Sequence, residues 1–158
     1  MAGPHRIRPA EPGDADELAR VIHRLGGFRA FEGASEDAVR DAVRGNLAAS
    51  LAGGGSTLLV AEDDDGVFAW AQAHWLHDLF MPGPEGYLTE LFVAASHRGR
   101  GVGTELHDLL VAEARRRGAY RMTLLNGRHR DSYARGYYAA RGWEEREGMA
   151  SFVLWLAD

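Results

Sequence analysis

Residues 86–118 constrain the fold of this chain more than any other stretch. The segment 86–94 is rich in aromatic, β-branched and aliphatic residues, which is typical of a buried strand. Apolar residues recur at helical spacing over 102–117, and Gly118 follows as a helix stop. Between strand and helix lies the turn 98–103, with the sequence Arg-Gly-Arg-Gly-Val-Gly. This order predicts a strand, a basic glycine turn and a helix.

The predicted turn has the properties of an anion-binding site. Glycine lets the backbone approach a ligand closely, and the first turn of a helix offers unpaired N–H groups at its positive end. Arg98 and Arg100 add positive charge. We therefore expect the turn to bind a pyrophosphate; the alternative is an ordinary surface helix cap.

Three kinds of phosphate-binding turn differ in their sequence patterns. A Walker loop ends in Gly-Lys-Ser/Thr, and this chain contains no lysine. A dinucleotide fingerprint is G-x-G-x-x-G with an acidic residue about 20 positions later, whereas this turn is G-x-G-x-G and Arg121 holds the later position. The third pattern fits. Arg98-x-x-Gly101-x-Gly103, after a strand ending in Val93, resembles the acetyl-CoA motif of the GNAT N-acetyltransferases.

A second motif supports this resemblance. Residues 137–143, Tyr-Tyr-Ala-Ala-Arg-Gly-Trp, look like the aromatic-Tyr-x-x-x-Gly-aromatic motif found late in the same superfamily. The resemblance extends over residues 7–156, and residues 86–103 look most like the small-amine branch, which includes polyamine and some aminoglycoside acetyltransferases. One position departs from the family pattern: Asp131 stands where an asparagine is frequent, seven residues before Tyr138.

Composition limits the classes of function. A chain of 158 residues suits one domain, so residues 1–158 are predicted to form a single GNAT domain. The net charge of −5 argues against a nucleic-acid partner, and the absence of cysteine excludes an acyl-cysteine intermediate. The apolar runs are too short to cross a membrane and no signal-like segment opens the chain, so we expect a cytoplasmic protein.

The predicted order of elements is β, α, α, β, β, β, α, β, α, β, β, which indicates an α/β fold. The resemblance implies the GNAT fold, a mixed and mostly antiparallel sheet of about six to seven strands flanked by about four helices. Asp14 and Ser35 are predicted to cap the first two helices. Asp131 is predicted to cap a helix over 131–141, and a closing hairpin is expected over 143–156.

The resemblance also implies how the reaction is divided among residues. Glu90 is expected to take the proton of the attacking ammonium, with a water as relay because an ordinary glutamate is a weak base, and Thr89 is expected to orient that water. Backbone amides around Phe92 and Val93 are expected to stabilise the oxyanion. Tyr138 is expected to protonate the departing CoA thiolate.

Binding residues follow from the same resemblance. The residues expected to bind the cofactor are Leu91, Phe92, Val93, Arg98, Gly99, Arg100, Gly101, Val102, Gly103, Thr104, Asp131 and Tyr137. The residues expected to bind the substrate are Phe31, Glu32, Asp78, Glu85 and Thr89, whose carboxylates and aromatic rings suit a cationic amine. His74 and His77 lack a third ligand nearby, so no metal is expected.

These expectations combine into one activity. The chain is expected to transfer an acetyl group from acetyl-CoA to a primary amine of a small cationic molecule, by direct attack in a ternary complex. A protein N-terminal or lysine acetyltransferase of the same fold is the first alternative, and a non-catalytic acyl-CoA sensor is the second. The resemblance also makes a homodimer a candidate assembly, with no nucleic-acid or membrane partner.

Overall fold

The computed structural model describes residues 4–156. They form two compact units, one ending at Leu124 and one beginning at Leu125. In the first unit, the helices and strands are β1 (Arg6–Pro9), α1 (Ala15–Leu25), α2 (Glu36–Leu51), β2 (Ser56–Asp63), β3 (Gly66–Leu76), β4 (Glu85–Val93), α3 (Val102–Arg116) and β5 (Arg121–Leu124). The second unit contains a single short α-helix within the described residues, α4 (Asp131–Ala134).

The sheet of the first unit runs in the order β1-β2-β3-β4-β5. Neighbouring strands are antiparallel except for β4 and β5, which are parallel. The α/β fold with a mixed sheet is therefore confirmed. The prediction of six to seven strands is wrong, because five strands form in the described part of the chain.

The missing strands are those of the predicted closing hairpin. Residues 143–156 form no strand, and every described side chain from 144 onward is exposed. A strand is stabilised by pairing with a neighbour and burying alternate side chains, and neither occurs here within the second unit. A composition rich in strand-forming residues was therefore insufficient evidence for strands.

The predicted helix over 131–141 is also shorter in the structure. The helix α4 ends at Ala134, and Gly136 then takes a left-handed backbone with φ of 63°. A 3-10 turn follows over Ala139–Arg141. The predicted cap is wrong as well: Arg130 is the N-cap residue, and Asp131 is the first helical residue.

Two helical layers cover the sheet of the first unit. Side chains of α1 and α2, among them Leu18 and Val39, form a buried cluster with Trp70 of β3. Trp75, five positions further along β3, lies under the guanidinium of Arg117 at the end of α3. Since side chains alternate between the faces of a strand, α3 covers the opposite face from α1 and α2.

The predicted helix starts in this unit correspond to the structure. The hydroxyl of Ser35 accepts a hydrogen bond from the amide of Ala38 at 3.2 Å, which confirms Ser35 as the cap of α2. Asp14 occupies the N-cap position of α1, but its carboxylate accepts hydrogen bonds from Arg8 and from the amide of Glu11 instead. No α-helix among residues 4–156 is long and apolar enough to span a membrane.

Candidate active site

The glycine turn between β4 and α3 has an unusual number of unused backbone donors. Gly99 and Gly101 have left-handed backbones, with φ of 75° and 87°. Gly101 is the N-cap residue of α3, and its carbonyl accepts from the amides of Thr104 and Glu105. The five amides from 99 to 103 have no hydrogen-bond acceptor among the described residues. This is the donor arrangement that binds a pyrophosphate at a helix N-terminus.

Arg98 and Arg100 contribute to the turn in different ways. The Nε atom of Arg98 donates to the carbonyl of Val93 at 3.0 Å, which ties the turn to the last residue of β4. Both arginines are exposed. The positive charge of Arg100 acts on the carboxylate of Asp63 at the end of β2. The turn is thus both positively charged and anchored to the sheet.

One edge of β4 is open where it approaches the turn. The strand β5 pairs with β4 only as far as Leu88 and Leu124 within the first unit. The amide of Ala94 donates to the carbonyl of Phe68 on β3. Because backbone groups alternate along a strand, the amides of Leu91 and Val93 face the open edge. By the same alternation, the amide of Phe92 lies on the β3 side.

Thr89 is the extra residue of a β-bulge. Gln72 pairs with Glu90 and Ala73 pairs with Leu88, so Thr89 has no opposing residue on β3. Its hydroxyl donates to the carbonyl of Gln72 at 3.3 Å, and the residue is exposed. The bulge sets the direction of the next side chain, because it shifts the alternation and turns Glu90 toward the face that α1 and α2 cover.

Glu90 lies among aromatic rings. The indole N–H of Trp70 donates to Oε2 of Glu90. The ring of Trp70 stacks on Phe92 at 5.0 Å, and Phe28 meets Phe92 edge-on at 5.2 Å. Phe28 belongs to the connector between α1 and α2, so this connector lies against the end of β4. A carboxylate held in an aromatic cluster is suited to a cationic group.

The predicted substrate residues do not all gather at this cluster. Phe31 packs on the same core as Phe28, and Glu32 follows it as an exposed residue. Glu85 is the first residue of β4, and at about 3.4 Å per residue it lies roughly 17 Å along the strand from Glu90. Asp78 lies beside Glu85 at that distant end.

Glu85 has a structural partner at its end of the strand. It is buried, with 7% of its surface exposed, and it accepts hydrogen bonds from Arg121 of β5 at 2.9 and 3.3 Å. Burial alone would raise the pKa of Glu85, but the hydrogen bonds from Arg121 and Thr123 outweigh it and the pKa is lowered. Glu85 therefore holds β4 and β5 together. Within residues 4–156, no three His, Asp or Glu side chains converge as metal ligands.

The second unit contains the tyrosine motif. The ring of Tyr138 meets Tyr137 edge-on at 5.0 Å and Trp143 at 5.8 Å. Burial raises the pKa of Tyr138 to about 12. The hydroxyl of Tyr137 is buried and has no hydrogen-bond partner among the described residues. Asp131 is exposed at the start of α4.

Sequence patterns alone did not identify Trp70 as a neighbour of Glu90. Trp70 lies on β3, twenty residues before Glu90, and only the register of β3 against β4 brings them together. The family resemblance placed Phe28, in the connector between α1 and α2, near the acceptor, but it did not predict the contact of Phe28 with Phe92.

The Acetyltransferase (GNAT) family matches residues 27–143, which include the glycine turn, Glu90 and the tyrosine motif. The chain belongs to this family. Membership in the GNAT family implies acetyl-CoA-dependent acetyltransferase activity. No curated protein matches the sequence.

Solved structures share the GNAT fold at low sequence identity. A transcriptional regulator from Bacillus halodurans C-125 has a TM-score of 0.79 at 16% identity, covering 95% of this chain and 100% of its own. A predicted acetyltransferase from Clostridium acetobutylicum, solved with acetyl-CoA, has a TM-score of 0.73 at 18% identity and covers 95% and 96%. Glucosamine-6-phosphate N-acetyltransferase from Arabidopsis thaliana has a TM-score of 0.74 at 14% identity and covers 98% and 100%. At these identities the likeness shows the fold alone.

Proposed function

We propose that this GNAT protein transfers an acetyl group from acetyl-CoA to the primary amine of a small cationic molecule, by direct attack in a ternary complex. The observation that carries the proposal is the position of Glu90, a carboxylate set among Trp70, Phe92 and Phe28 at the end of β4. The glycine turn is linked to the same strand end through Arg98. The direct mechanism suits a chain without cysteine.

The residues of the turn fit acetyl-CoA. The unused amides from 99 to 103 would hold the pyrophosphate, with Arg98 and Arg100 supplying charge. The amides of Leu91 and Val93, on the open edge of β4, would stabilise negative charge that develops on the thioester carbonyl oxygen. Acetyl-CoA supplies the activated acetyl group, and the protein supplies donors fixed before the reaction begins.

Glu90 would orient the amine and receive its proton. The indole N–H of Trp70 donates to Oε2 of Glu90, so Oε1 of Glu90 would accept a hydrogen bond from the substrate or from a relaying water. The aromatic rings beside it favour a cation, and Glu32 in the nearby connector adds a second negative charge. The second charge supports an acceptor with more than one amino group.

Tyr138 is proposed as the group that assists the leaving thiolate. With a pKa raised to about 12, its phenol remains protonated throughout the physiological range. A thiol has a pKa of about 8.5, so the phenol is the weaker acid and stabilises the thiolate chiefly by donating a hydrogen bond. Attack by the free amine forms the N–C bond and breaks the C–S bond of the thioester. The ammonium loses one proton before the attack, by way of Glu90, and a second as the amide forms; one of the two ends on the CoA thiolate and the other is released to solvent.

A turnover screen tests this proposal. Released CoA is measured by its thiol, a signal with no background from the protein because the chain contains no cysteine. Polyamines, diamines and aminoglycosides are compared with neutral and acidic amines and with peptides. Best turnover of a polycationic small molecule is expected. Best turnover of a peptide, or CoA binding without turnover of any amine, would replace the proposal with one of the two alternatives.

Two variants test the role of Glu90 in the same assay. Glu90→Gln keeps the shape of the side chain but removes the charge, and it should lower kcat by about 10²-fold, the usual range for a lost general base. Trp70→Phe keeps an aromatic ring but removes the N–H donor to Glu90. It should lower kcat less, because the carboxylate remains. Wild-type turnover in Glu90→Gln would contradict the assignment.

A further inference from the structure

His97 lies at the entrance of the glycine turn and is not used by the proposed mechanism. It ends the 3-10 turn Ala95–His97 and directly precedes Arg98. Its Nε2 atom is 3.0 Å from Oδ2 of Asp63, the last residue of β2. The two side chains are largely buried, with 16% and 20% of their surfaces exposed. This contact joins the end of β2 to the segment that leads into the glycine turn, 34 residues later in the sequence.

Further contacts fix both partners. The imidazole of His97 stacks on Phe68 of β3, with ring centres 4.0 Å apart and planes 12° apart. Its Nδ1 atom is 2.8 Å from the hydroxyl of Ser96. The other oxygen of Asp63 accepts from the amide of Asp65 at 3.0 Å within the hairpin. A carboxylate accepts hydrogen bonds, so Nε2 of His97 is the donor in the pair.

The turn depends on such anchors because it has little internal bonding. Its amides from 99 to 103 have no acceptor among the described residues, and two of its glycines have left-handed backbones. Glycine gains many alternative conformations when it is not held in place. Contacts at the two ends of the turn must therefore hold the five amides in the positions that bind a ligand. The helix α3 is the anchor at one end, and Arg98 and His97 lie at the other.

Charge gives His97 a second effect. Asp63 is a negative group beside an anion site, and the positive charge of Arg100 acts on it. The hydrogen bond from His97 holds this carboxylate in the β2–β3 hairpin; it is also the largest cause of the lowered pKa of Asp63. Without His97, the carboxylate would be free to compete with a pyrophosphate for Arg100.

We propose that Asp63 and His97 act together as positioning residues for the cofactor turn, and that they thereby set its affinity for CoA. The inference rests on the proposed binding of CoA at this turn. Neither residue touches the reacting atoms in this scheme. The pair aligns the donors of the turn before CoA binds, which lowers the ordering cost of binding.

A double-mutant cycle measured by calorimetry with CoA tests the inference. His97→Leu keeps the apolar contact with Phe68 but removes both ring nitrogens, and it should raise the Kd for CoA about 5- to 10-fold, within the range of coupling between contacting residues. Adding Asp63→Asn should recover part of this loss, because the unpaired charge is then gone. Asp63→Asn should therefore tighten binding in the His97→Leu background, whereas in the wild type, where the carboxylate is held by His97, it should weaken binding slightly. His97→Gln, whose amide is a donor, should retain most of the affinity.

Asp64→Asn provides the matched control. Asp64 is the next residue of the same hairpin, carries the same charge and is exposed. Its substitution should change the Kd equally in both backgrounds. If the effect of Asp63→Asn is also the same in both, or if His97→Leu and His97→Gln both bind CoA like the wild type, the inference is overturned and the proposed function stands. If the wild type itself binds no CoA, the proposed function falls and the inference falls with it.

Discussion

Tyr138 is the residue whose expected chemistry the structure changes most. An ordinary phenol and a thiol have pKa values near 10 and 8.5, close enough for proton transfer. Burial raises the pKa of Tyr138 to about 12, which favours a hydrogen-bond donor over a proton source. The change arises from packing against Tyr137 and Trp143, which the motif places nearby without revealing how deeply the ring is buried.

Tyr138→Phe should lower kcat by about 10²- to 10³-fold, the usual range for removing one hydrogen-bond donor to a developing negative charge, while CoA binding is retained. Stability supplies a second measurement. The pKa of Tyr138 is higher in the folded protein than in the unfolded chain, so the folded state holds the phenol proton more tightly. The stability that the protonated phenol contributes is therefore fully present below about pH 10 and is lost as the pH rises toward 12. In alkaline urea titrations, the wild type should therefore lose more free energy of unfolding over this window than Tyr138→Phe. Wild-type kcat in the variant would reduce Tyr138 to a packing residue.

Glu85 and Glu90 show what a single residue's sequence context can and cannot predict. On the family resemblance, Glu85 was expected to bind the substrate and Glu90 to take the proton of the amine. Glu85 is instead paired with Arg121 of a neighbouring strand, while Glu90 is paired with Trp70 on the opposite side. The register of the sheet decides which residues lie opposite each glutamate, and the neighbouring residues in the sequence do not reveal that register.

Among the elements, the turn and α3 were predicted best. Their signals are local: glycine at left-handed positions, apolar residues at helical spacing and a glycine stop. The closing hairpin was predicted worst, because a strand requires a partner that lies elsewhere in the chain. Unpaired amides near the end of β4 were expected, around Phe92 and Val93, from the family resemblance alone, since nothing in the composition of residues 89–93 differs from an ordinary paired strand.

Gly101→Asp should abolish detectable CoA binding. The substitution brings a negative charge to the anion site and forces a side chain into a left-handed backbone with φ of 87°. Gly53→Asp is a matched control, since Gly53 follows α2 with φ of 83° and has open space around its Cβ position. Both variants should lose about 1 kcal/mol of stability from backbone strain, and only Gly101→Asp should lose CoA in calorimetry. Equal CoA affinity in both folded variants would contradict the assignment of the turn.

The end of α3 should respond to acid. Glu113 receives hydrogen bonds from Arg116 and Arg117, and they lower its pKa to about 2. Because the folded pKa is below the unfolded value of 4.5, this stabilisation is present above about pH 4.5 and is lost as the pH falls toward 2. Glu113→Gln should be less stable than the wild type at pH 7 by at most about 1 kcal/mol, since the arginines are partly solvated. Thermal denaturation should show a smaller difference in stability between the wild type and Glu113→Gln at pH 3 than at pH 7. An equal difference at both pH values would contradict the ion-pair explanation.

At the scale of the whole molecule, residues 149–156 expose an apolar surface that suits self-association. Met149, Phe152, Leu154 and Leu156 are each more than 60% exposed, and the segment contains no charged residue. Exposed apolar surface of this kind marks interaction sites, and a two-fold dimer brings the same patch of both copies together with no like charges to repel each other. We predict a homodimer in light scattering after size exclusion, and a monomer for Phe152→Asp. A wild-type monomer at micromolar concentration would contradict this prediction.

The charge of the whole chain should appear in the kinetics. A net charge of −5 attracts a cationic acceptor, and Glu32 and Glu90 concentrate that attraction at the proposed site. The preference for a diamine over a monoamine of similar size, measured as a ratio of kcat/KM values, should therefore be largest at low salt. It should shrink as the Debye length falls from about 30 Å at 0.01 M to about 8 Å at 0.15 M.

Single charge changes locate the source of this preference. Glu32→Gln should lower kcat/KM for the diamine more than for the monoamine. Asp78→Asn removes the same charge at the far end of β4, beside Glu85. At 0.15 M salt it should leave the ratio unchanged, because the Debye length of about 8 Å is shorter than the roughly 17 Å that separate the two ends of the strand. If both variants reduce the ratio equally, the preference comes from the net charge and not from the site. If neither salt nor Glu32→Gln changes the ratio, the acceptor is not selected by its second charge, and the aromatic rings around Glu90 must select it by shape.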